Sequence, residues 1–499
     1  MWLTKKQLKG LVGAERLKDS PPVPTRMVSN GEYLPIAQTQ AQARVERLVL
    51  DMADRHATKA GTGRRQFLRS GIGLAASFFA MNRVYGDFFA VAAAETADAA
   101  AVTERTLRFR DQPVIDVQLH FVRDDYQWDG ILKLGEYAKH WNEALRNTKI
   151  DFNLFKFDNF LKEVYFDSDT KIGLISAAPA DHGANVIMNN DGLAAARNFI
   201  NAAAGSRRVL AHTVMAPGQP GWLDEIDRAI VELKPDSWKG YTLGDPFEDS
   251  QYPWRLDDEQ LMYPAYERML KAGITNVCIH KGLLPEDFTQ VTKHWRHAMV
   301  DDVGKAAKDW PGLNFIIYHS GFRPLMTSPE PLLDQFDKTG RIDWVTDLAE
   351  TPAKWGVKNV YAELGTTFGS CAVTHPRLAA AVLGTVVKGM GADHVIWGTD
   401  SVWYGSPQWQ IEAFRRIEIP EEMRSAHGYA ALGDGDGPVK SAILAGNSAR
   451  LYRMPQMLAA DAPWRNDALA RVKSEYVAAG AEPSNAFYGF VKRARGSGA

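Results

Sequence analysis

Four short β-rich runs in this 499-residue chain each end in a side chain able to bind or serve a metal ion. They are PVIDVQLHF, which ends at His120, NVCIHKG with His280, NFIIYHSG with His319, and VIWGTD, which closes on Asp400. A lone histidine means little, because most are satisfied core or pocket residues. Imidazoles and a carboxylate at the carboxyl ends of successive parallel strands mean more. Such ends converge on one mouth of a barrel, where folds of this kind carry their chemistry. A divalent ion held there by nitrogen and oxygen donors, with one position open, lowers the pKa of bound water to near ~7. The first expectation is a metal-dependent enzyme acting on a small molecule.

The four runs belong to a longer alternation. Strands are predicted at 114–121, 172–177, 208–214, 238–243, 276–281, 314–319, 360–364 and 395–399, with helices between them at 193–204, 222–233, 258–272, 295–309, 342–354 and 378–389. Several helices stop at a glycine just before the next strand, as in KAGITNVCIH. Eight strands alternating with helices predict an α/β chain folded as a (β/α)8 TIM barrel over 107–455. The rival, an open doubly wound sheet, would carry a G-x-G-x-x-G after its first strand and would gather its chemistry at one switch point. Neither feature is present. The loops after strands one and four are long and aromatic; they would cap the pocket or make contacts in a homo-oligomer, with nothing to choose between these.

Composition narrows the partners. The formal net charge is −2 with 45% hydrophobic residues, and no basic stripe stands out, which argues against nucleic acid. Two cysteines, Cys278 and Cys371, give no disulfide framework. Residues 1–62 form an arm with one helical face on Val45, Leu48, Val49 and Met52. Residues 63–98 pair Arg64 with Arg65, continue through an apolar run from Ile72 to Met81, and end in small residues around Val91 to Glu95. This resembles a twin-arginine export signal and implies a periplasmic or exported protein; a helix packed on the domain is the competing reading. The apolar run is too short for a stable membrane span, which needs about 20 residues. Beyond 455, a C-terminal helical extension and a free end are expected.

Five blocks in order carry a family resemblance: IDVQLHF, LMYPAYERMLKAGITNVCIHKG, NFIIYHSGFRP, VIWGTDSVW and GNSARLYRM. From about Val114 to Met454 the chain resembles the amidohydrolase superfamily, in its amidohydrolase-2 branch with the aminocarboxymuconate-semialdehyde decarboxylase-like enzymes. The resemblance implies one divalent metal ion, Zn²⁺ or Mn²⁺, held by His120, His280 and Asp400, with His319 acting beside it. Gln118 departs from the family's I-D-x-H-x-H, where a histidine stands. Strand alternation puts Gln118 on the face of His120, so it is a candidate fourth ligand. Its neutral amide oxygen favours oxygen-preferring ions over Zn²⁺. Lys239, on strand four where some relatives carry a carbamylated lysine, is left out because this branch generally holds one metal.

In the expected chemistry Asp400 ligates and also takes a proton, and His319 polarises a carbonyl or holds the developing oxyanion. Arg323 could pair a substrate carboxylate, against the simpler reading of a surface ion pair. Glu363 would orient a ligand or merely end a strand. His182 and His212 are near enough to line a pocket, His294 and His297 read as surface, and Trp403 and Tyr404 would stack on a planar substrate or pack on the last helix. Three functions follow: a hydrolase of C–N or C–O bonds in an amide, cyclic amide or lactone; a non-oxidative decarboxylase of a small aromatic or unsaturated acid; and a metal-free binding protein.

Overall fold

Eight parallel strands form one sheet in sequence order: β1 (Ile115–His120), β2 (Ile172–Ser176), β3 (Val209–Val214), β4 (Ser237–Tyr241), β5 (Asn276–His280), β6 (Asn314–Tyr318), β7 (Val360–Glu363) and β8 (Val395–Ile396). The structure is a computed structural model, which describes residues 23, 25, 38–60, 63–68, 70–126, 156–246, 248–284, 288–291, 293–324, 328–403 and 406–480. Much of the loop after β1, Tyr404, most of the first 37 residues and the end of the chain lie outside the described residues.

The ring closes through main-chain hydrogen bonds between β1 and the segment following β8. Val117 N donates to Trp397 O at 3.1 Å, Asp400 N to Gln118 O at 2.9 Å and Val402 N to His120 O at 3.2 Å. With helices packed around it, this is a (β/α)8 barrel. The strands are buried almost throughout, which is why their sequences run nearly continuously apolar instead of alternating. Ile115, Val117, Leu174, Leu210 and Ile316 pack inside the ring with residues of the Asn447–Leu451 helix and the turn after it. Asn447 ties that helix to the barrel by donating from Nδ2 to Val395 O at 2.7 Å.

The register of β1 against β2 shifts between Asp116 and Leu119. Regular alternation would not let Val117 join the interior layer while Gln118 and His120 both face the pocket. The bulge allows it, a common use of bulges beside active sites. Asp116 stabilises the distortion by accepting from Gln118 N at 3.1 Å, Thr399 N at 3.1 Å and Thr399 Oγ1 at 2.5 Å.

Predicted helix 295–309 is divided into a turn at Trp295–Ala298 and a helix at Val303–Asp309. Asp302 explains the break: its buried carboxylate meets Lys281 Nζ at 2.8 Å and Leu256 N at 3.0 Å, which pulls the chain toward β5. The C-terminal extension is held by a buried ion pair, Arg208 to Asp467 at 2.6 Å.

The segment expected to serve as an export leader is folded against the rest of the chain. Gly71–Tyr85 is a helix capped by Ser70 that buries Ile72, Ala75, Ala76, Phe78 and Met81 and packs on the Gln40–Ala60 helix. Phe78 packs on Phe89 at 4.9 Å between ring centroids, and Phe89 bridges Ile417 beyond the Gln408–Arg416 helix. No helix among the described residues is long and apolar enough to cross a membrane.

Candidate active site

The carboxyl ends of β1, β5 and β6 and the segment after β8 bring Gln118, His120, His280, His319 and Asp400 onto one narrow pocket, whose other walls are Ala178, Ile187, Tyr241 and Trp403. His120 Nε2 lies 3.0 Å from Asp400 Oδ1. Gln118 Nε2 donates to the same oxygen at 3.0 Å and lies 3.4 Å from His319 Nε2. His319 Nε2 is 3.0 Å from His280 Nδ1. Trp403 stacks on His120 at 5.6 Å and Tyr241 on His280 at 4.7 Å, so two planar walls face the polar cluster.

Neighbouring carbonyls dictate the tautomers. His120 Nδ1 faces Ser176 O at 3.1 Å and His319 Nδ1 faces Gly365 O at 2.9 Å. A carbonyl only accepts, so both Nδ1 atoms carry the proton and both Nε2 atoms turn a lone pair inward. His280 Nδ1 then donates to His319 Nε2, which leaves the lone pair of that ring on His280 Nε2. At His120 the consequence is sharper: a lone pair faces a carboxylate oxygen at 3.0 Å. A cation or a second proton must lie between them.

Asp400 is ionised. Burial works against this, but His120, His319 and a hydrogen bond from Thr366 Oγ1 to Oδ2 outweigh it and hold the carboxyl below its usual range. Burial lowers His319 to about 4 despite the attraction of Asp400. Burial, reinforced by His319 and Lys239, takes His280 well below its ordinary value. The pocket therefore sets one carboxylate beside two rings, His280 and His319, that burial holds below their ordinary values. With Nδ1–H spent on Gly365 O, a neutral His319 cannot donate to an oxyanion; it accepts.

The donor set fits a divalent ion. Two imidazole Nε2 atoms, a carboxylate oxygen and an amide make a mixed nitrogen–oxygen set. Gln118 Oε1 is buried and meets no hydrogen-bond donor among the described residues. A half-turn of the amide exchanges Oε1 with Nε2 and directs it at the point that Asp400 and His319 already share. Among the described residues, no three His, Cys, Asp or Glu side chains are gathered as a ready cage.

Other groups hold the cluster in place. Glu363 accepts from His319 N at 3.1 Å and Gly365 N at 2.6 Å, and burial pushes it up to about 8 against those hydrogen bonds. A Cβ on Gly398 would lie 1.8 Å from Glu363 Oε1, so the G-T-D glycine is required by close approach. His319, Ser320, Thr366 and Asp400 all have φ between 52° and 66°. Positive φ outside glycine costs about 1 kcal/mol or more each, and such residues cluster at functional sites.

The remaining candidates fall elsewhere. Arg323 does not line the pocket; its guanidinium lies over the Phe288 ring at 5.5 Å. His212 is buried within the barrel, 3.3 Å from Tyr318 Oη. His182 is exposed near Glu248 at 3.9 Å, and His294 contacts His297. Thr366 and Tyr241 were missed. Tyr241 was accessible, because it ends β4 as His280 ends β5. Thr366 lies past β7 in a turn that no periodicity marks.

The fold and the position of this cluster define a TIM-barrel protein with a polar site at the carboxyl face of its strands. The family model described as Amidohydro_2, Amidohydrolase, matches residues 115–454. The chain belongs to this family, which is a family of enzymes. Among solved structures it is similar to an uncharacterized TIM-barrel protein from Bordetella bronchiseptica, with 13% identity, 68% of this chain and 99% of that chain covered, and a TM-score of 0.42. It is also similar to 2,6-dihydroxybenzoate decarboxylase from Rhizobium (15% identity, 69% and 99% covered, TM-score 0.40). A third is dihydroxybenzoic acid decarboxylase from Polaromonas sp. JS666 with bound manganese (15% identity, 70% and 98% covered, TM-score 0.41). No curated protein matches the chain.

Proposed function

We propose that the protein is a metal-dependent hydrolase acting on a C–N or C–O bond of a small amide, cyclic amide or lactone. The observation that carries this reading is the geometry of the cluster, with His120 Nε2 3.0 Å from Asp400 Oδ1 and His280, His319 and Gln118 on the same narrow pocket. His120, His280 and Asp400, with Gln118 as a fourth, would hold one Zn²⁺ or Mn²⁺, which when bound supplies Lewis acidity and a water of lowered pKa. Asp400 accepts the proton released as water adds to the carbonyl carbon. Thr366, donating to Oδ2, keeps Oδ1 turned to the reaction. His319 Nε2, engaged by His280 Nδ1 at 3.0 Å, holds the His280 ring in place beside the reacting group. Trp403 and Tyr241 hold a planar group between them and keep bulk water out.

One observation favours a second reading, non-oxidative decarboxylation. A buried pocket with aromatic and aliphatic walls strips water from a substrate carboxylate and so promotes its loss as neutral CO2. Turnover in H2¹⁸O separates the two. Hydrolysis puts ¹⁸O into the released acid without CO2, whereas CO2 release without label in the organic product would replace the first reading with the second. Export by the twin-arginine route is proposed on Arg64, Arg65 and the apolar run that follows, and amino-terminal sequencing of periplasmic protein tests it.

A further inference from the structure

The space left among the side chains of the catalytic pocket is about 10 Å³. A single water needs about 10–15 Å³, and small-molecule sites measure about 300–1,000 Å³. A substrate carbonyl therefore reaches Asp400 only if one wall of the pocket gives way. The walls are Ala178, Ile187, Tyr241 and Trp403. Tyr241 belongs to β4, in register with His280 and stacked on its ring. Trp403 follows Val402, whose N donates to His120 O at 3.2 Å, and stacks on His120. Ala178 offers only a methyl group, two residues beyond β2. Ile187 differs from all three, because the connection between β2 and the Asn190–Ala204 helix carries it.

That connection is fixed at both ends and clipped between them. β2 holds one end. At the other, Asn189 caps the helix by accepting from Gly192 N at 2.7 Å. Asp181 accepts from Ser250 Oγ at 2.8 Å and Gln251 N at 2.9 Å, which ties the first turn to the loop after β4. Over Val186 and Ile187 the clip is Arg123, which donates from N to Ile187 O and from Nε to Val186 O, both at 3.0 Å. Ile187 faces the catalytic pocket, while its neighbours Val186 and Met188 line a separate cavity of about 380 Å³ between the segments that follow β2 and β3. This wall has open space behind it where the others have the barrel.

We propose that Ile187 is the gate of the catalytic pocket and Arg123 its latch. Substrate enters when residues 186–188 swing toward the outer cavity, and Arg123 draws them back over the reacting group. The swing moves no strand and breaks only local hydrogen bonds, so it draws on the part of the structure that opens most easily. Closure then shuts bulk water out of the reaction. The proposal rests on the reading that chemistry occurs at Asp400 and is independent of which bond is cut.

The test is the rate at which thiols of the full-length protein react with dithiobis-nitrobenzoate in the absence of substrate. Ile187→Cys puts a thiol on the gate, and the buried Cys278 and Cys371 act as internal clocks for global unfolding. The introduced thiol should react about a hundredfold faster than either native cysteine, because local opening outpaces global unfolding. Adding Arg123→Met, which removes the Nε donor, should speed it about tenfold further and leave Cys278, Cys371 and the thermal midpoint unchanged. Arg123→Lys keeps the charge, loses the same donor and should act alike. Ala178→Cys, on a wall of the same pocket, should speed up in step when Arg123 is changed. The proposal is overturned by a gate thiol no faster than Cys278 and Cys371, or by a rate that neither Arg123 variant raises. A gain shared by the native cysteines, or one that leaves Ala178→Cys slow, overturns it too. No substrate enters these rates, so their failure leaves the hydrolase reading standing, and the ¹⁸O experiment can fail while the gate holds.

Discussion

Two buried polar clusters in this molecule are built on opposite terms. One joins the amino-terminal segment to the Gln408–Arg416 helix. There Glu95 meets Arg416 at 2.5 Å, Arg105 meets Glu412 at 3.3 Å, and Arg415 meets Glu412 at 2.8 Å and Asp169 at 2.6 Å. Each of these charges faces an opposite one. The other cluster, at the barrel mouth, sets an imidazole nitrogen against a carboxylate, leaves an amide oxygen without a donor among the described residues and holds two rings below their ordinary pKa. A cluster that exists to hold the chain together closes its own electrostatics. One that exists for chemistry leaves a place for something that is not protein.

The sharpest way to break this contrast is to change each cluster and ask what is lost. Asp400→Asn removes the proton acceptor and keeps the shape, so turnover should fall by roughly 10³ while the thermal midpoint stays within a few degrees; near-native turnover would remove Asp400 from the chemistry. Glu95→Ala leaves Arg416 buried beside an empty position and should cost about 3 kcal/mol in denaturant unfolding, with metal content unchanged. A shift below 0.5 kcal/mol would mean the two segments are held by apolar packing alone. Thr366→Val, which loses the donor to Asp400 Oδ2, should lower kcat about tenfold with little change in KM, since a hydrogen bond to a charged group is worth about 1.5–3 kcal/mol.

A further effect concerns pH. Burial raises Glu363 to about 8 from an ordinary 4.5, so between these values the folded protein keeps a proton that the unfolded chain has released. The stability that this group contributes is full below about pH 4.5 and declines toward pH 8, by up to ~1.4 kcal/mol per pH unit. Glu363→Gln should flatten that slope; an unchanged slope would mean that the carboxyl is already ionised when folded.

The barrel was legible because its strands are buried on both faces and end at glycines, aromatics and histidines that stand out from helical text. Gln118, His120, His280, His319 and Asp400 were legible as strand ends, and they do line one pocket. What was not legible depends on contacts between distant parts of the chain. The bulge in β1 needs Asp116 to reach Thr399, 283 residues away. The tautomer of His319 depends on a carbonyl at Gly365, and with it the change from donor to acceptor. The broken helix before β6 depends on Asp302 finding Lys281. Arg323 looked available for a carboxylate, and only three-dimensional placement puts it over Phe288 instead. In the amino-terminal segment, the paired arginines and the apolar run favoured an export signal over a packed helix, although the two share the same apolar composition.

The central claim is that the barrel mouth is built around a divalent cation, and elemental analysis of purified protein tests it most directly. The account predicts about one equivalent of Zn²⁺ or Mn²⁺ per chain, lost in His120→Ala and reduced in His280→Ala, with Glu95→Ala unaffected. Metal-free native protein, or an equivalent retained in both histidine variants, would contradict it.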